Sequence, residues 1–300
     1  MSLVTSQSSP FTIKTPAKLN LRLKVTGQRP DGYHDLISIM IPIDLCDVLR
    51  IKLTSQNRVR LSCEGLPVPT DEENLAYRAA LSFLTQTGIQ RGFSIILTKN
   101  IPVAAGLGGG SSDAAAVLLV INEICGRPLS FSELHALAVA LGADVPFFLE
   151  SKPSLATGIG EILEPLEKWP KFWYVIVKPP IQVATSWAYR NLKLELTRGE
   201  YDFIVKILKS DPFRVSDVLD NDLERVTAAR FPVIQSIKIR LMDAGAEGAL
   251  MSGSGPSVFG VFSSLDQAEK ARKSLISQNL GDVFIVTDWK RPQPSDSWIR

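Results

Sequence analysis

The sequence predicts an α+β protein of two lobes, divided near residues 164 and 165. Three observations carry this expectation. Residues 17–25 alternate apolar and polar, and strand-like runs follow at 36–44, 47–54 and 57–63 with hairpin-length connections. A stretch with glycine at four of the five positions 106–110 then joins an apolar strand-like run (Phe93, Ile95, Leu97) to an unbroken apolar run from Ala114 to Ile121. Regularity breaks over 155–170, at Gly158, Gly160, Pro165 and Pro170, and a second set of helices and strands follows.

Taken in order, residues 1–10 are expected to be loose. From Ala17, Leu19, Leu21, Leu23 and Val25 share one strand face, and Lys18, Asn20, Arg22 and Lys24 share the other. The period of two predicts a half-buried strand whose polar face is either solvated or turned into a cleft. Pro30-Asp31-Gly32 is a turn by its chemistry, and Tyr33-His34 follow it as either a loop anchor or a ligand contact. The early strands predict a largely antiparallel sheet. Thr70 and Glu73 form a capping-box pattern for a helix over 71–86 that stops near Gly88. Strand 93–99 leads into the glycine stretch and a helix that ends at Gly126. Ser130 and Glu133 form a second capping box for a helix closed by Gly142. Asp144 then stands before Val145, Pro146, Phe147 and Phe148, as either a local turn acceptor or a carboxylate aimed into a cleft.

In the second half, 173–178 reads as a strand, and Thr185-Ser186 can cap a helix that contains Trp187, Tyr189 and Arg190. Helices are expected over 201–209, 216–229, 232–243 and 265–277. Two strands flank the Gly/Ser loop at 252–257, and a last strand covers 283–287. The Pro- and Ser-rich tail from Lys290 to Arg300 is expected to be mobile.

Composition narrows the function. The chain has 300 residues, 45% hydrophobic and 21% charged, with a net charge of +2. That is ordinary for a soluble globular protein and gives no bulk drive towards nucleic acid or membrane. Three scattered cysteines argue against a disulfide framework or a zinc knuckle, and two histidines exclude a multi-histidine metal site. No apolar run approaches the roughly 20 residues a membrane helix needs, and the N-terminus lacks a signal-like apolar core. The expected location is the cytoplasm.

The glycine stretch has the order strand, glycines, Ser-Ser-Asp, helix. Glycines let the main chain come close to a ligand, and the free N–H groups and positive end of the new helix point at the same spot. Ser111, Ser112 and Asp113 are suitable cap residues there. A flexible linker would separate domains, whereas this stretch joins two strongly apolar segments. A buried helix with an uncovered N-terminus is best matched to a phosphate. No Lys follows the glycines as in a P-loop, and the spacing misses the dinucleotide fingerprint.

Three separated motifs resemble one family in the correct order. They are 16–21 with 29–36, the glycine loop 101–116 with 142–146, and Leu250-Met251-Ser252-Gly253-Ser254-Gly255-Pro256-Ser257. Together they are similar to the GHMP kinases, and the Pro-Ala-Lys-Leu-Asn-Leu and Asp-Gly-Tyr-His segments to the branch that phosphorylates a cytidine-diphosphate-linked methylerythritol. Ala104 departs from a loop that often carries Gly. The resemblance implies the two-lobed GHMP kinase fold. Its N-terminal lobe (1–164) would bind ATP on a mixed sheet with a left-handed βαβ unit, and its C-terminal lobe (165–300) would be ferredoxin-like and face the substrate.

By the same resemblance, Pro102, Val103, Ala104, Ala105, Gly106, Leu107, Gly108, Gly109, Gly110, Ser111 and Ser112 hold ATP, with Mg²⁺ on its phosphates and metal ligands left open. Asn74 and Lys99 match positions near the adenine. Asp144 is the candidate base, and Lys18 stands beside it and the transferred phosphoryl group. Tyr33 stacks on the cytosine, His34 bonds its edge, Tyr189 makes a second wall, and Asn20 and Thr185 supply polar contacts. Partners are small molecules, with a monomer or weak homodimer expected. A kinase of homoserine or mevalonate is the nearest alternative, and Tyr33-His34 argue against it because those alcohols offer no base to stack on. A non-catalytic nucleotide or RNA binder is the other, opposed by the presence of Lys18 and Asp144.

Overall fold

A computed structural model describes residues 9–193 and 199–290. The expectations for most of residues 1–10 and for the tail fall outside that range. The first sheet has seven strands among the described residues: β1 (Phe11–Gln28), β2 (His34–Thr54), β3 (Val59–Gly65), β4 (Gly92–Lys99), β5 (Ser154–Thr157), β6 (Ile162–Pro165) and, from the second half of the chain, β8 (Asp220–Asn221). The order is β3-β4-β2-β1-β8, with β5 on β2 and β6 on β5. The pairs β1–β2 and β2–β4 are antiparallel, and β3–β4 and β1–β8 are parallel, so the sheet is mixed as expected. The runs expected as two strands at 36–44 and 47–54 are one continuous strand. A register shift between Pro16 and Ala17, where Cys46 and Ile43 are the partners on β2, absorbs the irregularity.

Helix α1 (Leu75–Thr87) makes the β3–α1–β4 crossover and packs under the sheet with Ala76, Ala79, Ala80 and Phe83 buried. Its cap differs from expectation. Asn74 is the N-cap, and its side chain accepts the N–H of Ala76 at 2.9 Å, while Thr70 and Glu73 lie outside the helix. Gly88 ends α1 in the left-handed region, as its position predicted. Helix α2 (Gly109–Ile124) is buried on nearly every side, as its composition required, and packs on α1, α3 (Phe131–Leu141) and α4 (Val145–Glu150). The Ser130–Glu133 capping box of α3 is present in both directions.

The second sheet contains β7 (Trp173–Lys178), β9 (Gly248–Met251), β10 (Val258–Phe262) and β11 (Asp282–Thr287) in the antiparallel order β11-β7-β10-β9. Counted along this half, that is fourth, first, third, second, the ferredoxin-like order the resemblance implied. Its helices are α5 (Thr185–Arg190), α6 (Glu200–Leu208), α7 (Asp222–Arg230), α8 (Val233–Asp243) and α9 (Leu265–Ile276). The helix expected over 216–229 is instead a 3₁₀ turn at Val215–Asp217, the short strand β8, and α7. Asn221 causes the break: its Oδ1 caps α7 by accepting from Leu223, and its Nδ2 donates to the carbonyls of Met251 and Gly253.

One apolar core lies between the first sheet and α1–α4. A second takes Leu19, Leu21, Ile39 and Ile41 from the first sheet and Tyr174, Ile176, Phe259 and Val261 from the second. The two sheets therefore share a core, which fixes the walls of the cleft between them.

Candidate active site

The site is built where β1, the glycine stretch and the 252–257 loop meet. The N–H of Lys18 donates to the carbonyl of Leu107 at 2.9 Å, so the strand carrying Lys18 is tied directly to the glycine loop. Ser252 Oγ donates to the carbonyl of Gly106 at 3.0 Å and accepts the N–H of Asn20 at 3.2 Å, tying the third motif to both. A side chain at Gly253 would meet Asn20 Oδ1 at 3.2 Å and Lys18 Nζ at 3.3 Å. The 252–257 loop is thus packed against Lys18 and the glycine loop.

Lys18 is 3% exposed, yet its ammonium is not left alone. It donates to Asn20 Oδ1 and stands 3.6 Å from Asp144 Oδ2. Asn20 Nδ2 in turn donates to Ser38 Oγ at 2.8 Å, so the amide is oriented with its oxygen towards the lysine. Asp144 sits at the N-cap of α4 but makes no capping bond with its side chain. Of the two readings open in the sequence, the local turn acceptor is the one the geometry does not bear out: the carboxylate faces the cavity.

The glycine loop starts α2 with Gly108 as its N-cap at φ +71°. Ser111, Ser112 and Asp113 are therefore in the first turns of the helix and do not cap it, contrary to expectation. The first intrahelical bond runs from Ser112 N–H to the Gly108 carbonyl, so the N–H groups of Gly109, Gly110 and Ser111 have no acceptor within the helix. They and the helix dipole converge on the cavity. Ser112 Oγ is buried without a hydrogen-bond partner. Ala104 adopts φ +50°, a conformation that costs a residue with a Cβ about 1–2 kcal/mol, so the departure from Gly falls where Gly would relieve strain.

All of this lines one cavity of about 1030 Å³. Lys18, Asn20, Tyr33, His34, Asn74, Lys99, Asp144, Thr185, Tyr189 and the loop residues 102–111 are at its wall; Ser112 is beneath it. On another part of the cavity wall the rings of His34 and Tyr189 are 5.0 Å apart at 30°. Tyr33 is 57% exposed beside them. Burial, with Asp144 adding to it, pushes the Tyr189 hydroxyl well above the usual tyrosine range, so this ring is a neutral wall at any working pH. Thr185 is the first residue of α5 and not its cap; Ala184 holds that place, and the Thr185 hydroxyl bonds Ser254 Oγ at 2.9 Å.

Lys99 is 4% exposed and committed to two carboxylates, Asp47 and Asp113, the latter at 3.4 Å. Asp113 also accepts from Thr15 Oγ1 at 2.7 Å. Burial pushes the Asp113 carboxyl up, and the Lys99 ammonium and the Thr15 hydroxyl beside it pull it back towards the ionised form. Asp47, Thr15 and Asp113 escaped the sequence reading as site residues. The signal for Asp47 was a charged residue inside the apolar pattern of β2.

A magnesium ion fits this donor set in one way. Among the described residues no cluster of three carboxylate, histidine or cysteine groups can hold a metal. The hydroxyl of Ser112, buried and unpartnered in the first turn of α2, is an oxygen donor of the kind a hard cation takes.

Residues 74–152 match the family described as GHMP kinases N terminal domain, and residues 203–281 match GHMP kinases C terminal. The chain is 52% identical to 4-diphosphocytidyl-2-C-methyl-D-erythritol kinase of Geobacter metallireducens, over 92% of this chain and 97% of the relative. It is 46% identical to the same enzyme of Syntrophotalea carbinolica, over 90% and 96%. Among solved structures, a 4-(cytidine 5'-diphospho)-2C-methyl-D-erythritol kinase superposes with a TM-score of 0.79 at 35% identity, covering 93% of this chain and 100% of that one. Homoserine kinase from Cytophaga hutchinsonii shares the fold, with a TM-score of 0.76 at 22% identity over 96% and 97%. With this coverage, and with a glycine-capped helix end beside a lysine–aspartate pair on the wall of one cavity, the chain belongs to the GHMP kinases, within the family of the 4-diphosphocytidyl-2-C-methyl-D-erythritol kinases.

Proposed function

We propose that this chain transfers the γ-phosphoryl group of ATP to the 2-hydroxyl of 4-diphosphocytidyl-2-C-methyl-D-erythritol, a step towards isoprenoid precursors. The observation that carries the reading is the Lys18–Asp144 pair, 3.6 Å apart, in the same cavity as the first turn of α2. Phosphoryl transfer needs charge neutralisation, in-line positioning and an acceptor for the hydroxyl proton. The N–H groups of the glycine loop hold the ATP phosphates. The substrate hydroxyl oxygen bonds to the γ-phosphorus as the bond to the bridging oxygen breaks, ADP leaves, and the hydroxyl proton passes to Asp144. Lys18, on the side facing the loop, offsets the negative charge on the transferred group. Mg²⁺, with Ser111 and Ser112 as the nearest hydroxyls, supplies further neutralisation of phosphate charge when bound. Asn74 borders the adenine end.

The cytidine occupies the other end. Tyr33 stacks on the base, His34 bonds its polar edge and Tyr189 closes the opposite side. Stacking of this kind contributes about 1–3 kcal/mol per base. Asn20 and Thr185 contact the methylerythritol. On this reading residues 1–164 form the nucleotide lobe and 165–300 the substrate lobe. The enzyme works in the cytoplasm as a monomer or weak homodimer. Among the described residues no helix is long and apolar enough to cross a membrane.

The test is ADP release from ATP and Mg²⁺ with each candidate alcohol. Turnover is expected with the cytidine-diphosphate substrate and not with homoserine or mevalonate. Asp144→Asn should lose about 10²–10⁴-fold in kcat while still binding ATP. Turnover with homoserine or mevalonate alone refutes the substrate, and an unimpaired Asp144→Asn refutes the base.

A further inference from the structure

From the cavity wall, where Lys99 and Asp113 stand, a connected run of buried polar groups extends behind it to Thr15 and Asp47, and the phosphoryl-transfer chemistry leaves it unused. Thr15, on β1, is 1% exposed, and its hydroxyl donates to Asp113 Oδ1 at 2.7 Å. Asp113 Oδ2 stands 3.4 Å from Lys99 Nζ, and Lys99 also donates to Asp47 Oδ2. The other oxygen of Asp47 accepts the N–H groups of Asn100 at 2.6 Å and Ile101 at 2.8 Å, the two residues that lead into the glycine loop. A Cβ built on Gly109, the first residue of α2, would stand 2.7 Å from Lys99 Nζ. The ammonium therefore lies directly under the helix end that faces the phosphates.

This arrangement is costly as a stabilising device. Three buried charges must be desolvated, and a well-packed apolar set of the same volume is often as stable or more so. What the charges add is direction. The run joins β1, α2 and β2 to the end of β4 and the residues that follow it into the glycine loop, and each of its members has a named partner in the next element. Thr15 is three residues before Lys18, whose own N–H is already bonded to the loop carbonyl of Leu107. The strand of Lys18 is thus held at two points, to the glycine loop through Leu107 and to α2 through Asp113.

We infer that Thr15, Asp113, Lys99 and Asp47 form a positioning chain that sets the first turn of α2 against Lys18, so that a phosphoryl group held by the loop arrives at the Lys18–Asp144 pair. This rests on the kinase reading above and changes one part of the sequence expectation: Lys99 is committed to two carboxylates and acts through the loop backbone, not on the adenine.

The test compares Thr15→Val, which removes only the hydroxyl, with Thr15→Ser, which keeps it, under steady-state conditions with ATP and the cytidine-diphosphate substrate. A misplaced reacting group can cost up to about 10²-fold, and a fractional shift here is expected to lower kcat about ten-fold and raise the KM for ATP about three-fold. The KM for the cytidine-diphosphate substrate should not move, and Thr15→Ser should recover wild-type values. The inference is overturned if Thr15→Val matches wild type in kcat and in KM for ATP, or if Thr15→Ser is as impaired as Thr15→Val. Should Thr15→Val fail to fold, Asp113→Asn decides, since it keeps an oxygen for Thr15 and gives up the Lys99 ion pair. A raised KM for ATP is then expected, and an unchanged one overturns the chain. If the wild-type protein shows no turnover, the kinase reading falls first, and calorimetric ATP affinities of the same variants are read for the same ratios.

Discussion

Replacing Gly106 by alanine tests whether the two halves of the site are held together by backbone contact. Gly106 has φ +74°, a conformation that costs an alanine about 1–2 kcal/mol. Its added Cβ would overlap the carbonyl oxygen of Ser252 and stand 3.2 Å from both the N and the O of Gly255. Backbone atoms cannot rotate away as a side chain can, so one loop must move, at about 1–3 kcal/mol for an overpacked contact. The sum is about 2–5 kcal/mol. At about 2 °C per kcal/mol for a chain of this size, the melting temperature falls by about 4–10 °C. The same movement pulls the Gly106 carbonyl from Ser252 Oγ, so thermal stabilisation by ATP should shrink as well. Gly110→Ala is the contrast. Its Cβ would meet only Leu75 Cδ1 at 3.8 Å, and alanine in a helix stabilises by about 0.5–1 kcal/mol relative to glycine. Gly110 lines the cavity, however, so that variant should melt slightly higher alone yet gain less from ATP. Differential scanning fluorimetry with and without ATP reads both. A Gly106→Ala protein that melts at the wild-type temperature would refute the packing argument.

Three other outcomes follow from separate parts of the molecule. Tyr33→Ala should raise the KM for the cytidine-diphosphate substrate about 5- to 150-fold, from a stacking loss of about 1–3 kcal/mol, and leave the KM for ATP alone; an unmoved substrate KM removes Tyr33 from the base site. Asn74→Ala should lower stability by about 0.5–2 kcal/mol through loss of the α1 cap, measured by urea unfolding. Burial raises the Asp288 carboxyl to about 6, where it accepts from Phe172 N–H at 3.3 Å and Tyr174 Oη–H at 3.0 Å. Because the folded-state pKa lies above the unfolded value of 3.8, its stabilisation is full below about pH 4 and is lost as pH rises through 6. Melting curves between pH 4 and 7 should therefore decline less steeply for Asp288→Asn than for wild type.

Much of this was legible because it follows from local rules. The buried α2 announced itself by eight apolar residues in a row, and the Ser130–Glu133 box and the Gly88 and Gly142 stops were read from capping chemistry. The ferredoxin-like order of β7, β9, β10 and β11 came only with the family resemblance, since period and propensity say nothing about which strand lies beside which. The failures are equally local in origin. Thr70–Glu73 has the right spacing for a capping box, but Asn74, four residues on, caps more effectively and its Nδ2 is held by the Pro69 carbonyl at 2.8 Å. The interruption of 216–229 arises from Asn221, whose partners Met251 and Gly253 are about 30 residues away in sequence and could not be guessed from it.

The polar face of β1 gives the sharpest lesson about where the site sits. Alternation predicted a strand with one face buried, and Lys18, Asn20, Arg22 and Lys24 were placed on the other. They are 3–6% exposed, so both faces are buried. A face of three cations can be buried only if each is paired. Arg22 bonds Glu200 and the Val218 carbonyl, and Lys24 bonds Asp220 and Asp222, all from the second half of the chain. Lys18 has the weakest acidic partner of the three: Asp144 at 3.6 Å, with a carboxylate 40% exposed to the cavity. A register shift between Asn20 and Arg22 separates the two environments. Beyond it the cations are sealed by acids from α6, β8 and α7; before it one cation is left facing open volume. That difference in pairing along a single strand is why the proposed phosphoryl chemistry is assigned to Lys18 and not to Arg22 or Lys24, which tie β1 to α6, β8 and α7.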